Sequence, residues 1–209
     1  MAGLTNHRFF AARFIAALLL LCCISPSPDP VVRKTGTFQA QVTAVPGEPR
    51  LVISKSRYTL TLYKGTTMIK TYKAVFGGGY SDGDKRMSGD RRTPEGEFYV
   101  CTMSHSKRFY KFIGLSYPAL KHAESGLQNR LITREEYALI KKAINTQQPP
   151  PWGTRLGGAI GIHGRMPHDG SSQQRTGVNW TDGCIALANT DVEELFSVVS
   201  PGTPVTVLP

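Results

Sequence analysis

Tyr58-Thr-Leu-Thr-Leu-Tyr-Lys-Gly-Thr-Thr-Met-Ile-Lys-Thr-Tyr-Lys-Ala-Val-Phe76 decides the fold class. Tyr58, Leu60 and Leu62 alternate with Thr59, Thr61 and Tyr63; Lys64-Gly65 supplies a tight turn; and Tyr72, Ala74 and Phe76 resume the period of two. Successive side chains of a strand point to opposite faces, so the stretch is a hairpin with one face buried in a sheet. Upstream, Leu51-Val-Ile53 is a short apolar run of the same kind. Downstream, Gly77 to Asp90 is a glycine-rich charged loop, and Thr93-Pro-Glu-Gly96 is a turn feeding a strand from Glu97 to Met103. Thr133-Arg-Glu-Glu136 has the spacing of a capping box, followed by Tyr137, Ile140, the stem of Lys141 and Ile144 on one helical face, with Pro149-Pro-Pro151 beyond it. Thr190-Asp-Val-Glu193 repeats that spacing ahead of Val192, Leu195, Phe196 and Val199, and Pro201-Gly202 stops the helix. Thr203 to Leu208 closes the sheet. The expectation is a mainly β domain over residues 50–209, a sandwich or open barrel with two or three short helices.

The whole chain has 209 residues, room for one such domain plus a leader or linker at roughly 100 to 200 residues per domain. Its 40% hydrophobic and 19% charged residues, with 21 Gly and 14 Pro, exclude a disordered acidic chain, a coiled coil and a polytopic membrane protein. A net charge of +10 favours anionic partners. No basic run with interleaved aromatics and no zinc-finger spacing occurs, so nucleic acid is not expected as a partner. His7, Arg8 and Arg13 precede an unbroken apolar run from Phe14 to Ile24, the layout of a secretory signal and too short for a spanning helix. Residues 1–25 are therefore read as a signal peptide or N-terminal anchor. Ser25 and Ser27 are small enough for cleavage but each precedes a proline, and lipidation at Cys22 or Cys23 is the lesser reading. Residues 26–49, with Pro26, Pro28, Pro30, Pro46 and Pro49, have the composition of a tether. The expected location is outside the cell membrane, in the periplasm or cell envelope, with membrane contact through the N-terminal segment only.

Beyond the leader only Cys101 and Cys184 remain, and in an oxidising compartment two cysteines ordinarily form a disulfide. Against that stands the local chemistry. Gly157-Gly-Ala-Ile-Gly-Ile162 is a small apolar stretch that delivers His163-Gly164, and Trp180-Thr-Asp-Gly-Cys184-Ile-Ala-Leu187 puts a thiol directly after a glycine. A nucleophilic cysteine needs a base, oxyanion donors and room for a substrate backbone, which His163, the Gly183 and Cys184 amides and Gly183 itself would supply. From the residues alone, a catalytic pair and a structural disulfide with a core His163 are evenly matched. His163, His168, Asp169 and Cys184 are zinc-ligand types, but their spacing matches no known site, so neither a metal nor another cofactor is expected. Asp82-Gly-Asp84 lacks the calcium-loop pattern, Gly77-Gly-Gly79 lacks the Lys-Ser or Lys-Thr of a phosphate loop, and Arg91-Arg92 and Lys141-Lys142 read as solvated faces, although Arg91 and Arg92 border the Thr93-Pro turn and could meet substrate carboxylates.

His163-Gly164, a spacer, then Thr181-Asp-Gly-Cys-Ile resembles the signature of the L,D-transpeptidase (YkuD-like) family. Leu60 to Gly77 is similar to that family's opening hairpin, and Arg92-Thr-Pro-Glu-Gly-Glu-Phe98 to its Thr-Pro-x-Gly-x-Phe segment. The resemblance implies a β-sandwich-like catalytic domain, a nucleophilic Cys184, and His163 as its base, oriented by the Gly164 carbonyl. Gly164, Thr181, Asp182 and Gly183 are then the residues that meet the substrate, a peptidoglycan stem peptide. The thioester formed would pass to another stem's amine, to a lysine of a wall-tethered protein, or to water, the last giving an L,D-carboxypeptidase or tether hydrolase. A peptidoglycan-binding domain with a Cys101/Cys184 disulfide is the non-enzymatic alternative. The chain departs from the family pattern at two positions, carrying Asp182 where His is common and Ala186 where Arg is common. A carboxylate beside a thiolate opposes its formation, so Asp182 is expected to contact a cationic acceptor or to brace the loop.

Overall fold

The computed structural model describes residues 47–79, 81, 83–106, 109–165 and 179–209. The chain divides into two compact units, Met1–Ala40 and Gln41–Pro209, and all described residues belong to the second. The expected leader and nearly all of the expected linker thus lie outside the described residues, as do Asp82, His168 and Asp169.

The elements run β1 (Pro49–Ser54), β2 (Thr59–Lys64), β3 (Thr67–Lys73), β4 (Gly96–Ser106), β5 (Tyr110–Leu115), α1 (Leu120–Gln128), α2 (Arg134–Asn145), β6 (Gly161–His163), β7 (Ile185–Ala186), α3 (Asn189–Val198) and β8 (Pro204–Leu208). Among the described residues the strands form one mainly β unit, an eight-stranded sheet of order β3-β2-β1-β8-β4-β5-β6-β7 curled into a half-barrel, with three helices. The β2–β3 hairpin pairs Thr59 with Lys73 and Leu60 with Tyr72, as the alternation requires. Its inward set of Leu60, Leu62, Tyr72, Ala74 and Phe76 is buried with Ile53, Val100, Ile162, Leu195 and Val207 in one core. The C-terminal strand β8 sits between β1 and β4, parallel to β1 and antiparallel to the first half of β4. A bulge between Val100 and Thr102 then turns the second half of β4 toward β5. That turn places β5 against β6, and β6 is what carries His163.

Three local expectations change. The α2 capping box forms as read, with Thr133 Oγ1 accepting from the Glu136 amide and Glu136 Oε2 from the Thr133 amide, but Lys141 is exposed and does not belong to the buried face. The second box does not form. α3 starts at Asn189 with Ala188 as its cap residue, and Glu193 turns away to Lys111 Nζ and Tyr110 Oη, both at 2.6 Å. A charged lysine partner across the sheet outcompetes an amide for that carboxylate. α1 was not located in the sequence because its buried face is made of His122, Ala123 and Gly126, so no apolar stripe marks it. Gly126 lets α1 sit on Leu156, since a Cβ there would come within 2.9 Å of a leucine methyl.

The loop from Lys85 to Arg92 is tied down by charge. Lys85, buried, donates to Asp90 Oδ1 at 2.6 Å, and Asp90 also accepts the amides of Arg86, Met87 and Arg92. Burial resists the negative charge on Asp90, but Lys85 and those amides more than offset it and hold the carboxyl below its ordinary value. Asp84 behaves likewise, with burial opposed by His122, Lys121 and the Glu95 amide. A carboxyl whose folded value is depressed contributes stability above the unfolded carboxylate value, about 4, and loses it as pH falls through the lower folded value. Thermal unfolding should therefore show a melting temperature that is steady near pH 6 and drops below about pH 4. Asp90→Asn should cost about 3 kcal/mol at pH 7, because Lys85 is left buried and unpaired, and should flatten the acid slope.

Candidate active site

β6 and β7 run parallel, with Ile162 opposite Ile185 and His163 opposite Ala186. Cys184 is the residue just before β7, so the thiol and the imidazole leave neighbouring strands at one edge of the sheet. The loop that carries the thiol is gripped from its other side by the chain after β3. Val75 and Ala186 exchange both backbone hydrogen bonds, at 3.0 and 2.9 Å, the Gly78 amide donates to the Thr181 carbonyl, and the Thr181 amide to that of Phe76. Phe76's own amide donates to Asn179 Oδ1, whose Nδ2 donates to Tyr58 Oη.

Three backbone segments meet here with no room for side chains. A Cβ on Gly77 would lie 2.1 Å from the Arg91 carbonyl oxygen and 2.9 Å from Gly183 Cα. A Cβ on Gly183, at φ 127°, would lie 2.6 Å from the Arg92 carbonyl oxygen. Thr93 completes the junction, its buried hydroxyl accepting the Gly77 amide at 3.0 Å. The Thr-Pro turn read from the sequence thus has a specific duty, joining the hairpin's exit to the thiol loop. Thr181 does the same within that loop: its hydroxyl donates to the Cys184 carbonyl at 2.7 Å and accepts the Gly183 amide at 3.2 Å. The Gly183 amide, expected as an oxyanion donor, is therefore engaged inside the turn.

Cys184 is partly exposed, and its Sγ donates to the Ala159 carbonyl at 3.5 Å. The expected alternative, a disulfide between Cys101 and Cys184, is not formed in the structure. Cys101 is buried in β4, where burial pushes its thiol up to about 11, so almost none is ionised near neutrality.

His163 is buried, 1% exposed. Its Nδ1 lies 2.7 Å from the Gly164 carbonyl oxygen, an arrangement in which Nδ1 carries the proton and Nε2 keeps the lone pair. The Phe109 ring packs at 4.4 Å between centroids and the Trp180 ring edge-on at 5.8 Å, with the Arg165 guanidinium 4.7 Å above Trp180. Gly164 is short of a side chain because Asn189 Oδ1 occupies the place, 2.3 Å from where a Cβ would be. That same Asn189 exchanges hydrogen bonds with the Arg165 amide and carbonyl, both at 2.7 Å. Phe109 and Asn189 were absent from the sequence reading. Asn189 had a signal, an amide side chain one residue before the apparent cap Thr190, but its partner is distant in the chain.

A groove of about 470 Å³ opens beside the loop, lined by Lys85, Ser88, Gly89, Arg91, Gly157, Gly158, Ile160 and Asp182. Asp182 is paired with Arg91, Oδ1 to Nε 3.4 Å, so of its two expected roles the structure displays a contact to the neighbouring loop. The cavity of about 270 Å³ at Glu48 to Arg50 and Ser200 to Pro204 has no part in this arrangement. Among the described residues no group of three or more His, Cys, Asp or Glu side chains comes together to hold a metal, and no helix is long and apolar enough to cross a membrane.

A half-barrel that presents a cysteine and a carbonyl-tethered histidine from adjacent strands defines a class, and the sequence family agrees with it. The family model of the L,D-transpeptidase catalytic domain, YkuD, matches residues 48–207, and the chain belongs to that family. Solved structures with a similar fold include the helical cell shape determining protein Pgp2 from Campylobacter jejuni, crystallised as a point mutant, at 22% identity and TM-score 0.51 over 78% of this chain and 47% of that one. Others are Bd1075 of Bdellovibrio bacteriovorus, at 16%, 0.48, 78% and 48%, and an L,D-transpeptidase from Mycobacterium smegmatis, at 13%, 0.44, 78% and 59%. The chain thus spans 47% to 59% of the length of these three proteins. No curated protein matches it.

The Thr181 hydroxyl bridges both ends of the thiol turn. Thr181→Val should lower stability by about 1–2 kcal/mol, the cost of stranding a buried acceptor and donor, and should alter the alkylation rate of Cys184. Thr181→Ser should restore both, as read by thermal unfolding and iodoacetamide labelling followed by mass.

Proposed function

We propose that this chain is an exported cysteine-dependent L,D-transpeptidase acting on peptidoglycan stem peptides. The observation that supports it best is the placement of a partly exposed Cys184, just before β7, beside the strand that ends in His163, whose Nδ1 is committed to the Gly164 carbonyl so that Nε2 is the ring nitrogen suited to accept a proton. Family membership supplies the substrate class, and the basic net charge suits an anionic wall polymer. Export rests on the composition of residues 1–25 followed by the proline-rich 26–49.

In this reading His163 Nε2 takes the Cys184 proton, and the thiolate leaves the Ala159 carbonyl to attack the carbonyl of the third, diamino-acid residue of a tetrapeptide stem. The Cys184 amide is the donor we assign to the oxyanion, since Gly183's is spent on Thr181. The C–N bond breaks, imidazolium returns its proton to the departing D-Ala nitrogen, and a thioester remains. An amine of a second stem or of a wall protein then attacks, gives its proton to His163 and expels the thiolate; water in the same role yields a carboxypeptidase.

Incubation with defined muropeptides, read by mass, tests the proposal: D-Ala loss with dimer or hydrolysis product is expected, and unchanged muropeptides would oppose it. Cys184→Ala should abolish turnover with the fold intact, whereas Cys101→Ala should retain it. His163→Ala should slow acylation by about two orders of magnitude or more at pH 7. That deficit should shrink toward alkaline pH, where a thiol of reference pKa about 8.5 ionises unaided. A deficit constant with pH would assign His163 a structural role.

A further inference from the structure

Arg91 sits at φ 56°, in the left-handed region where glycine is at ease and a residue with a Cβ is strained. Its neighbours impose that backbone. The Arg91 carbonyl accepts the Gly79 amide at 2.9 Å and abuts Gly77, while the Arg92 amide is held by Asp90 Oδ1 at 3.0 Å. A position suited to glycine here carries a long cation. The guanidinium lies against Gly78, where a Cβ would come within 2.7 Å of its Cζ and Nη2 and displace it.

What the guanidinium meets is Asp182, through Nε alone, with the two side chains 54% and 85% exposed. So open a pair stabilises little. Among the described residues nothing is hydrogen-bonded to Arg91 Nη1 or Nη2, the two ends that form a fork for a planar anion. The other cation of the groove, Lys85, is already consumed by Asp90 Oδ1 at 2.6 Å and the Met87 carbonyl at 3.0 Å. Asp182 is two residues from Cys184, a backbone span of at most about 7 Å.

We propose that Arg91 is the carboxylate receptor of the groove, and that Asp182 is its placeholder counter-ion, holding the guanidinium in position and giving way when a ligand carboxylate arrives. That the ligand is a stem peptide rests on the function proposed above. The carboxylate comes either from the C-terminal residue that departs or from the acidic second residue of the stem. Arg91 is then the residue that reads substrate charge, and the substitution at Asp182 serves binding of the donor.

Calorimetry on the full chain carrying Cys184→Ala, which binds without turnover, tests the inference with three peptides: the free-acid stem tetrapeptide, its C-terminal amide, and the form amidated at the second residue. The free acid should bind about tenfold or more tightly than one of the amides, and the weaker amide identifies the carboxylate. Adding Arg91→Gln or Arg91→Gly should erase the preference, while Asp182→Asn should tighten the free acid and leave that amide unchanged. Arg91→Gly should also raise the melting temperature by relieving the left-handed backbone, so its loss of preference is not a folding defect. Equal affinity for all three peptides, no binding of any, or a preference that survives Arg91→Gly would overturn the inference. In the protein with Cys184 intact, an adduct that forms without charge preference refutes the receptor alone. A preference without any adduct refutes the enzyme alone.

Discussion

Everything at the site follows from the crowding of three backbone segments, residues 75–78, 91–93 and 181–184. Two of them touch at Gly77 and Gly183, and the third places its carbonyls where the missing side chains would be. Thr93 and Thr181 lock the junction with hydroxyls that bond only to backbone groups of these segments. Through this contact a two-residue strand, too short to hold itself, is pinned between β6 and the exit of the β2–β3 hairpin. Cys184 is thereby fixed at the end of β7 while its side chain stays partly open.

The periodicity of residues 58–76 was enough for the hairpin and, with its neighbours, for the mainly β class, because a half-buried strand writes its register into the alternation itself. His163 and Cys184 could be singled out from their glycine-rich surroundings, but the residues alone did not separate a catalytic pair from a disulfide; the structure brings the two to neighbouring strands. What was not legible is long-range pairing. Glu193 was read as a helix cap and instead serves Lys111; Asp182 was read as contacting a cationic acceptor or bracing the loop, and the partner it meets, Arg91, lies 91 residues earlier in the chain. Phe109 over the imidazole has no local sequence signal at all, since its place depends on how β5 is laid beside β6. Helix α1 was not placed because its packing uses alanine, glycine and histidine in place of a stripe of large apolar residues.

The electrostatics divide by depth. Lys55 with Glu95 and Lys85 with Asp90 are buried pairs that anchor loops, each supplemented by a further hydrogen bond. At the groove mouth the Arg91–Asp182 pair is in water and loosely held. Buried pairs resist exchange because an unpaired charge there is costly, whereas an exposed pair can trade partners at little cost. The groove is thus lined by one fixed charge, Lys85, and by one exchangeable pair, Arg91 and Asp182.

The central claim is that Cys184 becomes covalently acylated with His163 as its base. Intact-protein mass after brief acid quenching of the full chain with a stem tetrapeptide measures this directly. The account predicts a mass gain equal to the stem less D-Ala, mapped to Cys184, removed by hydroxylamine and strongly reduced in His163→Ala at neutral pH. An adduct on any other residue, or D-Ala release with Cys184 replaced by alanine, would contradict it.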